Sequence, residues 1–203
     1  MALRLWIAAF GFIACLLGQP AFAGQLQDAQ AAYESKDYLT AARLWKLLAN
    51  DGNMVAQSNL GLLYDFGWGV PQDYTEALVW YRKAAAKGSS SAQFRIGTMY
   101  FDGKGVPQNI ATAFKWYQLA ASQGEGRAQA VLGDMYNIGK GVPQDFVLSH
   151  MWLNLASVNY IGDANMRSDI IKLRDSTARK MTPDQIAKAQ KLAREWVAAH
   201  SAQ

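Results

Sequence analysis

Gly67-Trp68-Gly69-Val70-Pro71-Gln72 recurs as Gly103-Lys104-Gly105-Val106-Pro107-Gln108 and again as Gly139-Lys140-Gly141-Val142-Pro143-Gln144. Both steps are 36 residues, and Ala56-Gln57, Ala92-Gln93 and Ala128-Gln129 keep the same step. A fixed period of this length constrains the fold more tightly than composition can. Each repeat is too short to bury its apolar face alone, so neighbours must stack and share a continuous core.

The middle repeat shows what is stacked. Ser89 is placed to cap a helix, and Ala92, Ile96, Met99 and Tyr100 follow on one helical face. Gly103 ends that helix, because glycine takes the left-handed conformation that a C-terminus favours. Gly105 and Pro107 make a turn, read as an outward-facing hinge. Asn109 caps a second helix, with Ala113, Trp116, Tyr117, Ala120 and Ala121 on its inner face. Asp73 and Glu76 form the same start as a capping box one repeat earlier. The expected fold is therefore all-α, a solenoid of antiparallel helix pairs.

Gly61, Gly97 and Gly133 fall inside the first helices, where each costs about 1 kcal/mol relative to alanine. Repetition of that cost at one register predicts a facing backbone or Trp ring that leaves no room for a Cβ. Burial of one aromatic side chain is worth about 4–6 kcal/mol, which outweighs it.

The expected organisation is a leader over 1–23, a half-matching repeat over 24–52, repeats over 53–88, 89–124 and 125–162, and closing helices over 163–203. In the half-repeat, Ser35-Lys36 stands where the others have the glycine-rich turn. Asp163 to Lys180 reads as one closing helix, and Thr182-Pro183-Asp184-Gln185 as the start of another. Together they predict a longer C-terminal capping helix pair.

Arg4 followed by the apolar run Leu5 to Leu17, then Ala21-Phe22-Ala23, has the form of a secretory signal cut after Ala23. That run is well short of the roughly 20 residues a membrane helix needs, and no later run approaches it. Cys15 lies inside the run, which disfavours lipidation there. Removal of the leader removes the only cysteine, and with it disulfides and thiolate zinc sites. The expected location is extracytoplasmic, the bacterial periplasm. Residues 165–203 carry eight basic and four acidic side chains, whereas 24–164 are nearly balanced. Interleaved charges on an exported chain argue against nucleic acid.

His150 and His200 are the only histidines, and no His-x-x-x-His occurs. His150 is read as a packing or surface residue. The Gly-x-Gly-Val-Pro loop lacks the Lys-Ser/Thr of a phosphate loop and follows a helix. Asp37, Asp73 and Asp145 are read as helix caps, and the Trp-Tyr pairs as core. No catalytic residue, metal or cofactor is assigned, and the chain is read as a non-enzyme.

The pattern Ala-Gln-x-x-Leu-Gly-x-x-Tyr, Gly-x-Gly-Val-Pro-Gln, Ala-x-x-Trp-Tyr-x-x-Ala-Ala resembles the Sel-one-like repeat family, relatives of tetratricopeptide arrays. The match is close from Gly52 to about Val158. His150 to Ala156, Arg174-Asp175 and Met181-Thr182-Pro183 resemble the ending of exported bacterial members. This resemblance implies a right-handed α-α superhelix that assembles protein complexes. Family members linked to penicillin binding carry repeat cysteines; this chain lacks them, so that activity is not carried over.

Residues that recur hold the array, whereas first-helix residues that do not recur are free to specify a ligand. These are Ser58, Asn59, Leu62, Phe94, Arg95, Thr98, Arg127, Val131 and Asp134, with Asn59, Phe94, Arg95, Arg127 and Val131 the chosen partner-binding set. Phe94-Arg95 is the favoured pair, since aromatic and guanidinium groups are enriched in binding hot spots. The expected function is a periplasmic scaffold that binds protein partners on a concave face. The alternative is an envelope glycan or peptidoglycan ligand, or a regulatory role toward an envelope enzyme.

Overall fold

A computed structural model describes residues 19–200, with side chains from residue 24 onward. Nearly all of the expected leader, including Arg4 and Cys15, lies outside the described residues. The described residues form ten helices and no strand. They are α1 (Gln19–Glu34), α2 (Tyr38–Asn50), α3 (Met54–Phe66), α4 (Tyr74–Ala86), α5 (Ser90–Asp102), α6 (Ile110–Ser122), α7 (Gly126–Ile138), α8 (Phe146–Asn159), α9 (Ala164–Ala178) and α10 (Pro183–His200). The chain divides between Asp73 and Tyr74 into two compact units.

In the first unit α2 packs on both α1 and α3. Asp37 caps α2 by accepting from the Thr40 N–H, and Asn53 caps α3 by accepting from Ala56. Lys36 takes the left-handed conformation at φ 64°, where the later turns use glycine. Trp45, Leu48, Leu60 and Leu63 form the buried interior. Trp68, which stands where the later loops carry lysine, stacks on Tyr38 at 5.1 Å and on Phe66 at 4.7 Å.

In the second unit each helix from α4 to α8 packs on the next. Ser89, Asn109 and Asp145 cap α5, α6 and α8 as their sequence positions predict. Tyr117 is buried against Leu132 and Met135, whereas Trp116 is only half-buried. The Trp-Tyr pairs are thus core at Trp80-Tyr81 and only in part at Trp116-Tyr117. Glu76 accepts the indole N–H of Trp80 at 2.8 Å.

Close approach at the mid-helix glycines is real, but the facing groups are not Trp rings. A Cβ on Gly97 would stand 2.8 Å from the Tyr117 ring, and one on Gly133 2.5 Å from Leu153 Cγ. The recurring loop also does more than turn the chain. Its first glycine closes a helix in the left-handed conformation, with Gly103 N–H donating to Met99 O. Its second glycine lies against the opening turn of the preceding repeat's second helix. A Cβ on Gly69 would collide with the Tyr38 carbonyl, one on Gly105 would stand 2.9 Å from Tyr74, and one on Gly141 2.5 Å from Ile110 Cγ2. The loop is therefore outward-facing, as expected, and also a contact between repeats. Its glutamine fastens the loop to its own first helix: the side-chain amides of Gln72, Gln108 and Gln144 donate to the carbonyls of Asp65, Phe101 and Asn137 at 2.7–2.8 Å.

The other recurring glutamine is a buried strut between repeats. Gln57 Nε2 donates to Ala49 O at 3.1 Å, and Gln129 Nε2 to Ala121 O at 3.2 Å. Gln93 Oε1 accepts from Gln123, and Gln129 Oε1 from Asn159.

At the C-terminal end, α9 and α10 each pack on α8 instead of chiefly on one another. Leu153 and Ala156 meet Ile170 of α9 and, from another side, Met151 and Leu155 meet Ala193 of α10. A helix covered on several sides must be apolar all round, and α8 is. His150 is buried within it, and its Nδ1 has no hydrogen-bond partner among the described residues.

Two outcomes follow from this packing. Gly97→Ala gains helix propensity yet forces a methyl group into the Tyr117 ring, so a net loss of about 1–3 kcal/mol is expected. An unchanged thermal melt would contradict it. For His150, burial holds the imidazole below its ordinary 6.5; the Arg174 charge adds to this and Asp175 opposes it. The unfolded chain therefore takes up this proton first, so stability falls as pH drops through about 6.5 and is fully present above it. Melts between about pH 7 and pH 5 should show a smaller loss in His150→Asn than in the parent. Equal slopes would remove His150 as the source.

Candidate partner-binding face

The first helices α3, α5 and α7 are 13 residues each and run in one register. Ala56, Gln57, Leu60 and Leu63 are buried on α3, and their counterparts on α5 and α7 are buried too. Between them, Asn59 and Leu62 on α3 and their counterparts Arg95, Thr98, Val131 and Asp134 are half-buried or exposed and do not recur.

Asn59 lies half-buried in the first compact unit; Phe94, Arg95, Arg127 and Val131 lie in the second, all half-buried. Of the two favoured hot-spot residues, Phe94 has its ring covered by Arg127, whose guanidinium carbon sits 4.7 Å above it. One helical step of 36 residues separates Ser91 from Arg127, and Arg127 Nη2 donates to Ser91 Oγ at 3.1 Å. The same guanidinium grips Glu125 through Nε at 2.8 Å and Nη2 at 3.0 Å. Burial pushes the Glu125 carboxyl up, but the hydrogen bonds and charge of Arg127, with the charge of Arg95 adding, outweigh it and hold the group below its ordinary value. Arg127 is thus a brace between α5 and α7 whose cation is already neutralised.

Phe94 is likewise committed on one face. Its ring lies 5.7 Å from that of Tyr117, and the Phe94 carbonyl accepts from Thr98 Oγ1 at 3.2 Å. Tyr117 donates to Thr98 Oγ1 at 3.3 Å, and burial pushes its phenol up to about 12, with the nearby Asp102 charge adding. A phenol held neutral in this way is a packing group with one hydrogen bond to make, not a base. Residue type alone favours Phe94 and Arg95 as hot-spot candidates; it does not report that the Phe94 ring is covered by an arginine from the next repeat.

Val131 and Asp134 on α7 face a groove of about 420 Å³ that Met166, Asp169, Ile170 and Leu173 of α9 close on the other side. Nothing in the repeat pattern foretold this wall, because α9 lies outside the repeats. Asn137, buried at the end of α7, accepts from Thr177 at 3.4 Å and from Lys180 at 3.2 Å, which ties down the C-terminal end of α9. Among the described residues no three His, Cys, Asp or Glu side chains converge for a metal ion. No described helix is long and apolar enough to cross a membrane.

The chain matches the Sel1 repeat at residues 55–89, 90–125 and 126–157, just over half of its length. Among solved structures it is similar to a protective antigen of uropathogenic Escherichia coli strains that displays an SLR fold. That similarity is 34% identity with a TM-score of 0.76, covering 88% of this chain and 38% of the antigen. It is also similar to a Sel1 repeat protein from Oxalobacter formigenes, at 31% identity and a TM-score of 0.63, covering 67% of this chain and 54% of that one. The chain thus spans about half or less of the length of either relative. No curated protein sequence matches it. Three consecutive matched repeats, carried on all-helical packing with one loop contact per repeat, place the chain in the Sel1 repeat family, whose helical arrays typically mediate protein–protein interaction.

Proposed function

We propose that this chain is an exported, periplasmic scaffold that docks other proteins on the face formed by the first helices α5 and α7. The observation that carries the reading is the division of labour on those helices. Recurring side chains are buried and fastened to neighbours, while the non-recurring Arg95 and Val131 keep part of their surface in water. A face of that kind presents variable groups from rigid backbone, so little ordering entropy is lost on binding. Arg4, the apolar run to Leu17 and Ala21-Phe22-Ala23 support export. The capping residues Asn53, Ser89, Glu125 and Asp163 support repeats beginning near 53, 89 and 125 and a closing region from 163. The reading assigns no chemical step to the chain.

Immobilised full chain should capture specific proteins from bacterial envelope extract. Arg95→Ala should weaken capture about tenfold or more, as loss of a hot spot does, with the thermal melt unmoved. Undiminished capture by that variant would refute the assignment of this face. Turnover of a cell-wall substrate by the pure protein would refute the non-catalytic reading.

A further inference from the structure

The groove between α7 and α9 is built by an uneven contact. The C-terminal end of α9 is tied to Asn137 through Thr177 and Lys180, while most of its packing is on α8. Its earlier part, carrying Met166, Asp169 and Leu173, stands off α7 and leaves the opening. Apolar side chains line it: Phe101, Tyr117, Val131, Ile138, Met166 and Leu173. Ile138 and Met166 leave 56% and 53% of their surface in water, although both border an apolar hollow. Its volume, about 420 Å³, falls within the range of roughly 300–1,000 Å³ typical of sites that enclose a ligand.

The charges at this groove are not balanced in availability. Lys140 Nζ sits 4.0 Å above the Phe101 ring, so its cation is already engaged. Asp169 pairs with Lys172 at 2.9 Å on a well-solvated surface, an arrangement that holds its partner weakly. Asp134 is exposed, and its carboxylate makes no ion pair or hydrogen bond among the described residues. The groove therefore offers apolar walls and a free negative charge beside them. We propose that it receives an apolar segment of a partner protein that carries a lysine or arginine, with aliphatic or aromatic side chains in the hollow and the cation on Asp134. This rests on the protein-docking reading above and adds to it the partner's chemistry. An acidic segment would leave Asp134 facing a like charge, and a purely apolar one would leave it unused.

A displayed library of random twelve-residue peptides, selected on the full chain, tests the proposal. Enriched peptides should combine Leu, Ile, Met or Phe with Lys or Arg, and should bind Met166→Glu at least tenfold more weakly. The Asp134→Lys variant should enrich acidic apolar peptides from the same library. Both positions are exposed, and an unchanged melt confirms that each variant is folded. Enrichment without basic residues, binding that both variants leave unchanged, or no enrichment at all overturns the proposal. Peptides that bind but ignore both variants overturn only the groove, because Arg95 tests the wider docking face separately.

Discussion

Two close approaches at glycine set everything else in this fold. Inside a repeat, Gly97 lets the Tyr117 ring lie against the backbone of the first helix, and Gly133 does the same for Leu153. Between repeats, Gly105 lets the loop lie on the opening turn at Tyr74, and Gly141 on that at Ile110. One contact fixes the separation of helices within a pair, and the other fixes how the next pair is placed. In the second unit both recur at 36-residue steps, so the packing distance is copied from pair to pair instead of being decided afresh. A mid-helix glycine is unfavourable in isolation, and its cost is offset only because a buried aromatic or leucine fills the space it vacates.

Close packing of this kind traps polar groups, and the recurring glutamines meet part of that demand, Gln57 Oε1 being left without a partner among the described residues. A buried side-chain amide left without partners would cost about 1–3 kcal/mol. Gln129 satisfies this demand by spanning two neighbours: its amide nitrogen donates to Ala121 O, and its oxygen accepts from Asn159. The same group thus closes a carbonyl at a helix end and ties that helix to the following pair. Its hydrogen bonds prescribe a register that apolar contacts alone would leave free to slide.

Features set by near neighbours in the chain were legible from the sequence. Ser89, Asn109 and Asp145 announce helix starts because a cap needs only the next three residues. The repeat period revealed which glycines and glutamines mattered, though not what they touched. Contacts made once, across dozens of residues, left weaker traces. The Arg127 guanidinium settles on Phe94 because Glu125 and Ser91 hold it there, and no adjacency in the chain reports that. The terminal helices are another such case. A hint did exist in α8, where Met151, Leu153 and Leu155 are buried and cannot share one narrow stripe; a helix apolar on several sides needs several neighbours.

The way the array ends bears directly on recognition. At the start of α7 the Arg127 guanidinium and the Glu125 carboxylate neutralise one another. Further along the same helix Asp134 has no counter-charge among the described residues, and α9 supplies a second wall that no repeat supplies. A surface that repeats must suit every position it occupies, so it is poorly placed to discriminate among ligands. Discrimination needs a place where the pattern stops, and here that place combines one unspent charge with apolar surface. On the docking reading proposed above, the terminal helices shape a specific site as well as covering the end of a stack.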